Sequence, residues 1–189
     1  MRNTIRLVAI LNLAYFGIEF AVALHIRSVS LFADSIDFLE DTSVNFLILL
    51  ALSWDARKRG AVGTILAGLL LVPALATLWV AWQKFNLPVV PSPVPLGLTG
   101  LGALAINLSC AFMLARHRNA GGSLTRAAFL SARNDAIANL AIIAAGIATL
   151  ALPSVWPDLI VGIGIAVLNA DAAREVFMAA REERSSPHS

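Results

Sequence analysis

Six predominantly apolar stretches follow one another along the chain, at residues 5–25, 29–53, 60–82, 96–115, 125–151 and 155–173. About 20 helical residues cross the hydrocarbon core of a bilayer, so each stretch is long enough to be a transmembrane helix. Such runs allow few other folds. Only 14% of the residues are charged, against about 25% in a typical soluble domain, too few to wet a soluble surface. A single cysteine, Cys110, excludes a disulfide scaffold, and no heptad charge pattern supports a coiled coil. The chain therefore reads as an all-α membrane protein of six transmembrane helices. Residues 1–175 form the membrane domain, and residues 176–189 a short cytoplasmic tail, too small to fold alone and expected to be disordered.

The connections carry their own signals. Pro153 and Pro157 mark a tight turn between the fifth and sixth stretches, and Pro88, Pro91, Pro93 and Pro95 predict a stiff extended loop between the third and fourth. Eleven of the fourteen basic residues fall on one side: Arg2, Arg6, Arg57, Lys58, Arg59, Arg116, Arg118, Arg126, Arg174, Arg181 and Arg184. Only Arg27 and Lys84 fall on the other, and Arg133 lies within a span. The positive-inside rule places both termini in the cytoplasm, as an even number of spans requires, and the expected location is the plasma (inner) membrane. Distributed this way, the basic residues orient helices and form no nucleic-acid face. Arg2, Arg6 and Ala21-Val22-Ala23 imitate a signal peptide, but Asn12 and Glu19 interrupt its apolar run, so a retained span is expected.

The acids set the functional question, because an ionisable group in hydrocarbon costs several kcal/mol unless it is paired, neutralised or wet. Four lie within eight residues of the second span: Asp34, Asp37, Glu40 and Asp41. Asp34, Asp37 and Asp41 share a helical face at i, i+3 and i+7. A solvated surface position accounts for Asp34 as well as a site does, and less readily for the deeper Asp37 and Asp41. The fifth span holds Asp135, and Asp41-x-x-x-Asn45 is repeated there as Asp135-x-x-x-Asn139. Facing helices would bring these carboxylates and amide oxygens into one cation site suited to hard or borderline divalent ions. An ion pair with Arg133 is the bland reading of Asp135, although residues two apart point away from each other on a helix.

Ile10-Leu11-Asn12-Leu13-Ala14-Tyr15-Phe16-Gly17-Ile18-Glu19-Phe20, followed by Ser28-Val29-Ser30-Leu31-Phe32-Ala33-Asp34-Ser35-Ile36-Asp37 and Asp41, resembles the first two spans of the cation diffusion facilitators. In that family Asn and Glu of the first span precede Ser-x-x-Leu-Leu-Ala-Asp, then His or Asp with x-x-x-Asp. Trp156-Pro157-Asp158-Leu159-Ile160-Val161-Gly162 is similar to the Pro-Asp-Pro-Ile-Val that begins the family's sixth span. The resemblance implies a divalent-metal transporter, exporting a zinc-like cation (Zn, Co, Cd, Fe or Mn) in exchange for protons, with no permanently bound cofactor. It implies a metal site between the second and fifth spans, with Asp37 and Asp41 as the second-span pair and Asp135 as a fifth-span ligand.

Ser131 stands where the family has His or Asp, and a hydroxyl is a weak ligand. The fourth position is thus open to water, Asn134, Asn139 or Asn45. The candidate metal residues are Asp37, Asp41, Asp135, Ser131 and Asn139. Arg133 opposes a cation nearby. No histidine cluster accompanies His117, and the sequence reads as a minimal member without the family's cytoplasmic metal-binding domain, leaving a homodimer to form through the spans. His25 and His188 are not expected to be ligands, and Cys110 reads as a small buried hydrophobe. Asn12 and Glu19 read equally as supporting or packing residues. Asp158 reads as a charge at its own helix N-terminus. Gly60, Gly63, Gly97, Gly100, Gly162 and Gly164 read as close-packing positions. Carboxylates buried without metal favour the neutral form, so a dication must displace protons to bind. The competing readings are a non-transporting relic of the fold with a degraded site and, more remotely, an intramembrane aspartyl enzyme, for which no motif speaks.

Overall fold

The structure, a computed structural model, describes residues 2–51, 75–115 and 122–185, and every regular element among them is an α-helix. These are α1 (Arg2–Ile26), α2 (Val29–Ala51), α3 (residues 75–86), α4 (Pro93–Ala115), α5 (Gly122–Ala151) and α6 (Trp156–Ser185). Three of them are long and apolar enough, by length and composition, to cross a membrane: α1, α4 and the Asn134–Ala151 part of α5. In α2 the four acids dilute the apolar character of a helix of similar length, 23 residues.

The helix ends have local causes. At the close of α1, Arg27 takes a left-handed backbone (φ 53°), and the Ser28 N–H reaches back to the Ala23 carbonyl at 3.0 Å. That reversal satisfies a carbonyl that the helix end would leave open. Not all the prolines between α3 and α4 belong to the loop. The first backbone bond of α4 runs from Leu96 N–H to Ser92 O (3.1 Å), so Pro93 and Pro95 occupy first-turn positions that need no donor. Pro157 does the same in α6, where Leu159 N–H bonds Val155 O at 3.0 Å. The expected tail from residue 176 also differs, because α6 runs on to Ser185. Residues 172–184 read Ala-Ala-Arg-Glu-Val-Phe-Met-Ala-Ala-Arg-Glu-Glu-Arg, nearly all strong helix formers.

α2 is the central element, packing against α1, α4, α5 and α6, while α4 lies along α5. One apolar cluster joins Ile26, Leu31, Phe32, Ile36, Leu96, Ile142 and Ile165, from five helices. The exterior is apolar too. On α4, Leu98, Leu101, Leu108 and Phe112 face outward, whereas Gly100, Ala103, Asn107 and Cys110 are buried. On α1 the buried stripe includes Asn12 and Glu19, and Leu7, Ile10, Leu13 and Ile18 are exposed. Amides and carboxylates inside with leucines outside is the arrangement of a protein whose solvent is lipid.

Close approach of backbones needs glycine at two places. A Cβ on Gly162 would lie 2.7 Å from the Val29 carbonyl carbon and 2.8 Å from the Ser30 nitrogen, so α6 rests on the first turn of α2 only because residue 162 has no side chain. Gly146 of α5 meets the backbone of Gly97 in α4 in the same way, at 3.1 Å. Gly100 also packs tightly, against Ile142, but a Cβ on Gly164 would meet nothing within 4 Å, so its expected packing role is not found; Gly60 and Gly63 lie outside the described residues. Gly162→Ala is expected to lower stability by about 1–3 kcal/mol, the usual range for overpacking. Gly164→Ala in the same helix should be neutral or gain up to about 1 kcal/mol from helix propensity. Thermal unfolding of the two variants in detergent compares them directly, and equal melting temperatures would contradict the packing argument.

Candidate metal centre

Two polar centres are built on α2, one at its N-terminus and one along its length. At the N-terminus the helix leaves backbone N–H groups without internal acceptors. Ser28 is the cap: its Oγ accepts from Leu31 N–H at 3.1 Å. The remaining donors converge on one carboxylate from the other end of the sequence, Asp158 in the first turn of α6. Asp158 Oδ2 accepts from Val29 N–H (2.9 Å), and Oδ1 from Ser30 N–H (3.2 Å), Ser28 Oγ (2.5 Å) and Ser30 Oγ (2.6 Å). Lys84 of α3 completes the set, its Nζ lying 2.6 Å from Asp158 Oδ2 and 2.8 Å from the Arg27 carbonyl. Both charged side chains are buried. Asp158 is thus more than a charge on its own helix. It caps α2 from outside and ties α2, α3 and α6 together.

The second centre is the acidic face. Asp34, Asp37 and Asp41 are all buried, so the solvated reading of Asp34 does not hold. Their visible donors are amides. Asn139 of α5 donates to Asp34 Oδ2 (2.6 Å) and in turn accepts from Asn107 of α4 (3.0 Å). Asn12 of α1 donates to Asp41 Oδ2 (3.3 Å), while its own oxygen accepts from the Cys110 thiol (3.5 Å). Asn169 of α6 donates to Asp37 Oδ1. Asn45 bonds the Asp41 carbonyl at 2.8 Å and keeps its Oδ1, also buried, without a donor among the described residues. Charged neighbours are another matter. The carboxylates of Asp135, Asp34, Glu40 and Asp41 all act on Asp37.

The sequence-derived residues divide accordingly. Asp37, Asp41 and the half-buried Asp135 are neighbours across α2 and α5. Among the described residues, however, no three His, Cys, Asp or Glu side chains converge closely enough to hold a metal ion. Ser131 and Arg133 belong to α5, but their side chains lie outside what the structure describes. Asn139 is engaged with Asp34 and Asn107. Cys110 is buried, as a small hydrophobe would be, yet its thiol also supports Asn12. His25 is exposed, and His117 and His188 fall outside the described residues. Asn107, Asn169 and the Lys84–Asp158 pair were not foreseen as functional or structural partners. Asn107 had a signal, an amide alone in the apolar run Leu104–Leu108, where a polar side chain needs a partner on another helix.

An all-helical bundle, among the described residues, with an apolar exterior and amide-supported carboxylates on its central helix is the architecture of a polytopic membrane protein. The family model described as the cation efflux transmembrane domain matches residues 5–183, and the chain belongs to that family of cation transporters, which are not enzymes. None of the curated proteins compared with the chain matches it.

The clamp at the head of α2 generates its own test. Asp158→Ala removes the ion-pair partner of a buried lysine and the acceptor of two helix-end N–H groups. The expected loss is about 3–5 kcal/mol, as when one member of a buried pair is deleted. Asp158→Asn, which keeps an acceptor oxygen, should lose less. Unfolding in detergent measures both, and an Asp158→Ala variant as stable as the unmodified protein would refute the clamp.

Proposed function

We propose that this protein carries a zinc-like divalent cation out of the cytoplasm in exchange for protons, with Asp37 and Asp41 of α2 and Asp135 of α5 as the carboxylates that bind the ion. The observation that carries this reading is the row of buried acids on α2, of which Asp37 lies under the influence of four further carboxylates, Asp135, Asp34, Glu40 and Asp41. In a low-dielectric interior, like charges at such spacing disfavour each other's ionisation, and a dication relieves the repulsion. Carboxylate oxygens suit manganese, and zinc also accepts them. The open oxygen of Asn45 supports it as an additional ligand, and Ser131 supplies at most a hydroxyl. Binding needs ionised carboxylates, so metal and protons compete for the same oxygens. Loading at high pH and release at low pH give an antiport without any further coupling device. The distribution of basic residues places both termini in the cytoplasm.

Purified protein in proteoliposomes tests the reading through zinc flux driven by a pH gradient. Asp37→Ala, Asp41→Ala and Asp135→Ala should each weaken zinc binding by more than the about 10–100-fold that loss of an outer partner costs, and flux should fall to the level of empty vesicles. Affinity of the unmodified protein should decline as pH falls, because protons then hold the ligand oxygens. Ser131→His should tighten zinc binding, imidazole being the better ligand. Wild-type flux in Asp37→Ala and Asp135→Ala would rule the site out. Absence of flux in the unmodified protein would favour a non-transporting member.

A further inference from the structure

One pair of acids is left over by the site above. Glu19 of α1 is fully buried, and neither of its carboxyl oxygens meets a donor among the described residues. The group it faces, within hydrogen-bonding reach, is Asp34, whose Oδ1 is also without a donor. The two carboxyl groups therefore meet between α1 and α2, with three of their four oxygens lacking a donor from any other residue among those described. Such groups are expensive to bury and normally find partners. The other Asp34 oxygen is held by Asn139, which is held by Asn107, and Asn107 Oδ1 is itself buried without a donor. The pair thus sits at the end of a polar chain through four helices, fixed on one side and open on the other.

We propose that Glu19 and Asp34 form a second divalent-cation site, separate from Asp37, Asp41 and Asp135. Two carboxylates and one dication are neutral together, which is the condition for a buried ionic group in a membrane protein. The donor set is all oxygen, as hard and borderline divalent ions require. On α2, Asp34 precedes Asp37 by three residues and Asp41 by seven, which at a helical rise of 1.5 Å places the two sites about 5–10 Å apart. Two dications at that distance repel strongly, so the sites fill in turn. An ion leaving Asp37 and Asp41 finds an empty pair of carboxylates one step nearer the α1–α2 turn. This relay role rests on the transport reading above; the binding site does not.

Equilibrium dialysis of Zn2+ against the purified full-length chain separates the two ideas. With Asp37→Asn and Asp41→Asn both in place, one Zn2+ per chain should still bind, and adding Glu19→Gln should abolish it. Asp34→Asn in place of Glu19→Gln should do the same. Glu19→Gln keeps the shape of the side chain and offers an N–H to Asp34 Oδ1. The single variant should accordingly fold, with a metal-free melting temperature no lower than that of the unmodified protein. If the Asp37→Asn/Asp41→Asn protein binds no Zn2+ while the unmodified chain does, the second site is overturned and the first stands. If it binds Zn2+ whether or not Glu19 is replaced, the second site is overturned as well. Binding that is unaffected by Asp37→Asn/Asp41→Asn and lost with Glu19→Gln alone would keep the second site and remove the first. No Zn2+ binding by the unmodified chain overturns both.

Discussion

A carboxylate inside a membrane protein has no water to solvate it, so its surroundings must supply donors or a positive charge, and the structure depends on how each acid meets that demand. Asp158 meets it fully. Two backbone N–H groups, two hydroxyls and an ammonium converge on its two oxygens. The same contacts satisfy the exposed N-terminus of α2, so one interaction solves two problems of desolvation. Gly162, one turn further along α6, lets that helix come close enough for the carboxylate to reach. The head of α2 is anchored to α3 and α6 by this contact.

Further along α2 the solution is different. Asp34, Asp37 and Asp41 receive amide donors from Asn139, Asn169 and Asn12, on three different helices. An amide orients a carboxylate without neutralising it. A lysine at these positions would fix the charge permanently, as Lys84 does for Asp158. Amides instead hold the oxygens in place and leave the charge unbalanced, which is what the proposed binding of an exchangeable ion needs. One helix thus meets a carboxylate neutralised by an ammonium at its head and carries carboxylates met by neutral amides along its length.

Much of the fold was legible because the apolar length of a span is a local property. The helices α1, α2, α4 and α5 begin and end within a few residues of the stretches read from the sequence. The roles of Pro93, Pro95 and Pro157 were less legible: read as loop or turn residues, they lie in the first turns of α4 and α6, where proline is at home. The acidic face was legible for the same local reason, through the i, i+3 and i+7 spacing. What was not legible depends on pairs distant in sequence. Nothing near Asp158 announces Ser28 or Lys84, and nothing near Glu19 shows that Asp34 faces it. Asn139 illustrates the limit from the other side. Its spacing from Asp135 matched that of Asn45 from Asp41, yet it is occupied by Asp34 and Asn107, because the neighbour across the interface decides what an amide does.

The ties that hold α2 are therefore unequal along its length. Neutral hydrogen bonds contribute about 0.5–1.5 kcal/mol each, and those to a charged group about 1.5–3 kcal/mol. At its head the helix is held by a buried ion pair reinforced by four hydrogen bonds, all ending on one side chain. Beside Asp41 the donors are neutral: Asn12 reaches its carboxylate at 3.3 Å, and the thiol that supports Asn12 lies at 3.5 Å. A rearrangement of α1 and α4 that broke these neutral contacts would leave the clamp on Asp158 intact, since none of its partners lies on α1 or α4. A helix held at one end by an ion pair and along its acidic face by neutral amides could change the neighbours of its carboxylates without losing its place in the bundle. Cargo that must be bound on one side and released on the other requires that combination.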